Sequence, residues 1–254
     1  MKTLFVALVF ALSAVFAVNV SAAEMPATET PVETPMSLGR ALFEKNLFDA
    51  TVMLSSLDKD GNVRMCTATA FEREGKKYYF LTAAHCVLKE GMLVEGVRLI
   101  FFGDAKKNAT AFAKFLTMDA KYGGEGFAVF EVEWQDDSTP TMPIAARDAL
   151  LGEEVSSVSF PNARPKQLFR GYVSRENQDF EFFGKNFKDK VFFQLYGAPG
   201  SSGAAIISRK DGTILAIVQG GDGAEGSTAV TGLAISNFKK FWTEFKNKSK
   251  QSAK

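Results

Sequence analysis

A serine hydroxyl is a weak nucleophile near neutral pH and needs a neighbouring base to take its proton. The chain contains one histidine, His85, and so one candidate imidazole for that task. Two serines, Ser201 and Ser202, stand side by side in the string Gly197-Ala198-Pro199-Gly200-Ser201-Ser202-Gly203-Ala204. The only two cysteines, Cys66 and Cys86, bracket the approach to the histidine, which lies in Thr82-Ala83-Ala84-His85-Cys86. Two cysteines and one histidine cannot complete a four-ligand zinc site without carboxylates, so no structural metal is expected. No cofactor is expected either.

These residues need a scaffold and a compartment. The 254 residues carry a formal net charge of +1 and are 46% hydrophobic, a globular composition that gives no reason to expect nucleic-acid binding. The 24 phenylalanines read as core filling. Lys2, the uncharged apolar run from Leu4 to Val18 and the small residues Val20-Ser21-Ala22 form a secretory signal pattern, cleaved after Ala22 or Ala23. Residues 1–22 are therefore expected to be removed, leaving an exported protein, periplasmic or secreted, with no stable membrane span. Residues 23–38, rich in Glu, Thr and Pro, read as a flexible spacer. Residues 39–254 read as one folded domain. In an oxidising compartment Cys66 and Cys86 are expected to be disulfide-bonded rather than free.

Within that domain a short helix is expected at 37–48. Strands are expected at 50–57, 63–71, 78–82, 97–102, 110–117, 127–132, 154–159, 167–173, 179–183, 191–195, 204–208, 213–218 and 229–235. Asp58-Lys59-Asp60-Gly61 and Lys210-Asp211-Gly212 are hairpin turn signals. Many short strands at this spacing predict an all-β sandwich or a pair of barrels. Ile235, Phe238, Phe241, Trp242 and Phe245 recur at helical spacing and predict a C-terminal amphipathic helix docked on the domain core.

The histidine string resembles the histidine motif of trypsin-like serine proteases, and the Ser202 string resembles their Gly-x-Ser-Gly nucleophile loop. Histidine before serine also fits that family and not the α/β-hydrolases, where the nucleophile comes first. The resemblance covers most of residues 45–245. It implies two packed six-stranded antiparallel β-barrels with a C-terminal helix and a site in the cleft between the barrels. It implies a Cys66–Cys86 disulfide, His85 as general base and Ser202, one residue beyond Gly200, as nucleophile. The N–H groups of Gly200 and Ser202 would bind the oxyanion. Residues around Tyr196 would form the base of the specificity pocket, and Gln219, Gly220 and Gly221 would border the substrate channel.

The chain departs from the family in two places. Ser201 replaces the Asp that pairs with a newly exposed N-terminus in digestive relatives, so that activation switch should be absent. Gly126 replaces the triad Asp in Gly126-Phe127-Ala128-Val129-Phe130. That carboxylate normally orients the imidazole. Glu125 is the nearest substitute, Asp119 a more distant one, and a carboxylate-free dyad or an inactive site are the other readings. Tyr196 stands where trypsin has an Asp, so no preference for Lys or Arg is expected.

The expected function is an exported serine endopeptidase acting on a peptide or protein substrate. The competing expectation is a catalytically impaired protein that holds a peptide or protein partner in the cleft. A weaker third is a C-terminal helix that meets a membrane or partner. Gly221-Asp222-Gly223-Ala224-Glu225-Gly226 fits a dinucleotide-loop pattern, but a strand follows it, so it reads as a loop. Asn108-Ala109-Thr110 fits a glycosylation acceptor.

Overall fold

Helix α1, Pro35–Ala50, is the first element of the computed structural model, which describes residues 35–57, 60–89, 92–93, 95–101, 109–119, 126–134, 138–182, 185–221 and 226–252. The signal segment, most of the spacer, Asn108 and Glu125 lie outside the described residues. The helix starts inside the stretch assigned to the spacer. Pro35 explains this, because proline tolerates the first helical position and pre-sets its φ. No helix among the described residues is long and apolar enough to cross a membrane.

The first half of the domain is one antiparallel sheet. Strands β1 (Thr51–Leu57), β2 (Val63–Glu74) and β3 (Lys77–Ala83) form a meander. After His85 come two short strands, β4 (Leu88–Lys89) and β5 (Met92–Leu93), which pair with each other. Then follow β6 (Glu95–Phe101), β7 (Ala109–Phe112), β8 (Lys114–Met118) and β9 (Phe127–Glu133). The sheet order is β7-β6-β1-β2-β3-β9-β8. Its two edge strands, β7 and β8, are separated in the chain only by Ala113. A sheet whose opposite edges lie one residue apart in the chain must curl round on itself, so this seven-stranded sheet forms a half-barrel.

The second half is a closed barrel of order β10-β11-β12-β15-β14-β13. Its strands are β10 (Glu154–Ser159), β11 (Gln167–Phe182), β12 (Lys185–Gly197), β13 (Ala205–Ser208), β14 (Ile214–Gly221) and β15 (Ser227–Ala234). Here the fold departs from the short strands expected. Residues 167–173 and 179–183 belong to one 16-residue strand, broken in register at three points against a 13-residue β12.

Helix α2 (Ile235–Ser252) leaves the second barrel and packs on the first. Phe238 is fully buried, its ring 5.1 Å from Phe71 and 5.3 Å from Phe127. Trp242 donates from Nε1 to Glu72 at 2.7 Å, and Lys246 pairs with Glu72 and Glu74. The helix therefore backs the start of β9, next to Gly126. Helix α1 is pinned to the second barrel by Glu44, which accepts from Arg170 at 2.6 and 2.8 Å, from Ser156 at 2.7 Å and from Arg209 at 3.2 Å. Burial pushes the Glu44 carboxyl up. The Arg170 and Ser156 hydrogen bonds and the two guanidinium charges outweigh that and hold it below its ordinary value.

Candidate active site

His85 sits on a single 3-10 turn, Ala84–Cys86, at the end of β3. The turn is held from three sides. Ala84 N–H donates to the Gly126 carbonyl at 2.8 Å. Arg64 donates to the carbonyls of His85 and Leu88, both at 3.0 Å, and so clamps the loop that carries the imidazole. Cys66 and Cys86 are joined by a disulfide with Cα atoms 6.0 Å apart. One His85 ring nitrogen and the two sulfurs lie within 4.8 Å of one another. That trio would be a metal donor set only with the disulfide open.

The Ser202 loop leans on the same turn. Gly203 has φ +84°, and a Cβ there would stand 2.0 Å from Thr82 Oγ1 and 2.2 Å from the Thr67 carbonyl. The Ser202 carbonyl accepts from Thr67 N–H at 2.8 Å and lies 3.7 Å from Cys86 Sγ. His85 and Ser202, both half-buried, therefore occupy adjoining segments at the junction of the two barrels.

Gly200 shows the electrostatic arrangement of the loop. Its φ is +95°, and a Cβ would meet the Phe160 carbonyl at 2.3 Å. The carbonyl of Pro199 accepts from Asn162 N–H at 2.6 Å. The N–H of a trans peptide points opposite to its carbonyl, so this bond turns Gly200 N–H away from Asn162. Among the described residues neither Gly200 N–H nor Ser202 N–H has an acceptor. Thr67 fixes the next peptide, donating from Oγ1 to the Gly200 carbonyl at 2.7 Å. Asn162, which meets this loop through its N–H, and Ala163 after it hold positive φ of 51° and 57°, a backbone conformation that costs energy outside glycine.

Ser201 is 2% exposed. Its hydroxyl shares a hydrogen bond with Ser159 Oγ at 2.9 Å and accepts from Ala198 N–H at 3.2 Å. The position where digestive relatives carry an ionic partner is thus served by a neutral pair.

The substrate-channel residues divide. Gly220 and Gly221 line a cavity of about 190 Å3 together with Gly197, Ala198, Pro199 and Val218, beside the two loop serines. Tyr196 is not among its walls. Its neighbours Leu195 and Gly197 are buried, strand alternation turns its ring outward, and it packs against Phe169 with centroids 5.0 Å apart and planes tilted by 38°. Gln219 is not a wall either. Its side chain is buried and donates from Nε2 to the Gly126 carbonyl at 3.1 Å. Gly126 itself leaves no room for the missing Asp, because a Cβ there would meet the Asp119 carbonyl at 2.4 Å. Thr67, Arg64 and Ser159 escaped the sequence reading. Arg64 and Thr67 flank Cys66 closely and could have been examined for that reason; Ser159 carried no signal.

The family described as the trypsin-like peptidase domain matches residues 66–217, more than half of the chain. No curated protein matches the sequence. Solved structures of similar fold include the active form of the Rv3671c protease of M. tuberculosis, with TM-score 0.59, 17% identity, and coverage of 85% of this chain and 90% of that one. The serine endoprotease of Yersinia pestis gives TM-score 0.60 at 16% identity, covering 84% and 68%. The HtrA-type protease AlgW with a tripeptide gives 0.59 at 16%, covering 78% and 60%. At these identities the likeness speaks for the fold.

Proposed function

Because the chain belongs to the trypsin-like peptidase family, we propose that it is an exported serine endopeptidase built on His85 and Ser202. Ser202 Oγ attacks the scissile carbonyl while His85 Nε2 takes its proton and then passes it to the leaving amine. Water hydrolyses the resulting acyl-enzyme by the same route in reverse. The N–H groups of Gly200 and Ser202 receive the oxyanion.

The observation that carries this reading is the Pro199 carbonyl bonded to Asn162, with the Gly200 and Ser202 N–H groups left without acceptors. Donors without partners are costly once water is excluded, and a loop that leaves two of them unpaired on either side of Ser201 suits an incoming negative oxygen. The disulfide supports export to an oxidising compartment. The uncharged cavity beside the serines supports an uncharged residue before the scissile bond.

A second reading, a peptide-binding protein without turnover, draws on the absence of a carboxylate at Gly126. The test is covalent labelling of the purified mature protein by a fluorophosphonate, with Ser202→Ala and His85→Ala as controls. Labelling that needs both residues supports the peptidase; no labelling of folded, disulfide-bonded protein supports the binding protein.

A further inference from the structure

A second cavity, of about 360 Å3, opens between the end of α1, β1 and the turn that follows β10. Its apolar walls are Phe48, Met53, Phe160 and Pro165, of which Met53 and Phe160 are buried. Among the described residues no carboxylate lines it. Its two cationic walls differ. Lys166 is committed, donating from Nζ to the carbonyls of Phe48 and Thr51 at 2.6 and 3.3 Å and lying 4.4 Å over the Phe48 ring. Arg164 is exposed and spends its backbone N–H on the Pro161 carbonyl, and its guanidinium has no partner among the described residues. A planar guanidinium beside an apolar cavity suits a carboxylate held bidentately with an apolar group attached to it. The last residue of a peptide has that chemistry when its side chain is large and apolar.

The same walls hold the nucleophile loop. Met53 stands opposite Thr67 in the β1–β2 register, and Phe160 N–H donates to Thr67 Oγ1 at 3.3 Å. Thr67 Oγ1 in turn donates to the Gly200 carbonyl. Two residues beyond Phe160, Asn162 N–H holds the Pro199 carbonyl. The positive φ angles of Asn162 and Ala163 lie between Phe160 and the Arg164 wall. Relaxing that pair to negative φ would shift the Arg164 wall and break the bond to Pro199.

We propose that this cavity is an effector site for peptide C-termini that end in a bulky apolar residue, and that filling it raises the reactivity of Ser202. The side chain lies against Met53 and Phe160, and the carboxylate pairs with Arg164. The ligand favours the arrangement in which Asn162 holds the Pro199 carbonyl, because that arrangement places Arg164 beside the apolar walls. Binding at the cavity goes beyond the peptidase reading; the gain in reactivity rests on it.

The probe is Gly-Gly-Phe with fluorescein on its amine, titrated by fluorescence anisotropy. The unlabelled peptide is added to fluorophosphonate labelling reactions. Saturating peptide speeds labelling of the wild type about fivefold or more. Arg164→Ala weakens binding about tenfold or more and loses the acceleration, while its labelling without peptide stays at the wild-type rate. The C-terminal amide of the probe and fluorescein-Gly-Gly-Gly bind the wild type as weakly as the probe binds Arg164→Ala. These two peptides need no variant, so they keep the test decisive if Arg164→Ala fails to fold.

No binding at millimolar peptide overturns the proposal. Binding indifferent to Arg164→Ala and to the amide overturns it too, as does labelling that keeps its rate with the cavity filled. Peptide that slows labelling equally in wild type and Arg164→Ala sits in the substrate cleft and refutes the effector role. Octanoate that displaces the probe at a lower concentration than the unlabelled peptide does assigns the cavity to a fatty acid instead. Binding that depends on Arg164 in a protein that never labels refutes the peptidase reading and leaves the site standing.

Discussion

Thr67→Val tests how the nucleophile loop is held. The Thr67 hydroxyl donates to the Gly200 carbonyl at 2.7 Å and accepts from Phe160 N–H at 3.3 Å. Thr67 and Phe160 are fully buried. Valine keeps the shape and removes both bonds. Loss of the buried bond from Phe160 N–H costs about 1–3 kcal/mol, and the half-buried Gly200 carbonyl adds about 1 kcal/mol. The extra apolar group returns about 0.8 kcal/mol. The net loss is about 2 kcal/mol, a substantial share of the roughly 5–15 kcal/mol that holds a domain together. It should appear as a lower urea midpoint at unchanged slope. The functional loss should be larger than that stability loss explains, because the Gly200–Ser201 peptide, which lies between the two oxyanion donors Gly200 N–H and Ser202 N–H, is no longer fixed. Removing one such donor outright costs about 100- to 1,000-fold in rate, so a loosened one should cost about 10- to 100-fold in fluorophosphonate labelling. Thr67→Ser keeps the hydroxyl and should label within about threefold of wild type while losing about 1 kcal/mol for its methyl. If the Val and Ser variants match in both stability and labelling rate, the Thr67 hydroxyl does not organise the loop.

Three other outcomes are expected. Gly126→Asp, which would restore the family pattern, should destabilise by about 1–3 kcal/mol in a urea titration and leave labelling no faster, because its Cβ would overlap the Asp119 carbonyl at 2.4 Å; a stable variant with raised activity would show that the β8–β9 junction yields. In a peptide library, Ala or Val before the cleaved bond should be preferred at least about tenfold over Lys, Arg, Asp or Glu, because the cavity walls among the described residues offer no partner for a charge; a best substrate with Lys or Arg there would contradict it. Glu44 is held below its ordinary pKa in the folded protein, so its contribution is complete above the unfolded value near 4.5 and fades as pH falls through the folded one. Glu44→Gln should therefore lower stability by about 2 kcal/mol at pH 7 and flatten the loss on acidification, and an unchanged pH–stability curve would remove Glu44 from the account.

The parts legible in the sequence were those set by local chemistry. Hairpin turns announce themselves through residues that tolerate positive φ, and Gly61 at +79° and Gly212 at +73° stand where the two turn signals were read. The spacing of Phe238, Trp242 and Phe245 is that of one helix face, and Phe238 and Trp242 are buried. What stayed hidden depends on partners remote in the chain. The polar stretch Arg175-Glu176-Asn177-Gln178 interrupts the apolar pattern between 167–173 and 179–183, so the two read as separate strands, and cross-strand backbone pairing with β12 carries one strand through it. The curl of the first sheet, whose edges lie either side of Ala113, is a property of strand order, which alternation does not encode. Gln219 was read as a channel residue because of its neighbours Gly220 and Gly221, but strand alternation turns it inward, and its partner at Gly126 is 93 residues away.

Ser201 carries one physical idea. Where the digestive enzymes that its string resembles hold a charge, this chain holds a neutral hydroxyl in buried surroundings. A buried charge must recover its lost hydration from an opposite charge, which in a zymogen-type switch arrives only when a new terminus is cut and folds inward. Ser201 needs no such partner. Ser159 Oγ lies on β10 of the same barrel, and Ala198 N–H lies in the same loop, so its hydrogen bonds form as the barrel folds. The loop conformation is thereby linked to folding rather than to the ionisation of a terminal amine, and none of its holding groups titrates near neutral pH. Neutral hydrogen bonds are weaker than ionic ones, which leaves the Thr67 hydroxyl and the Arg64 clamp a larger share in fixing the site.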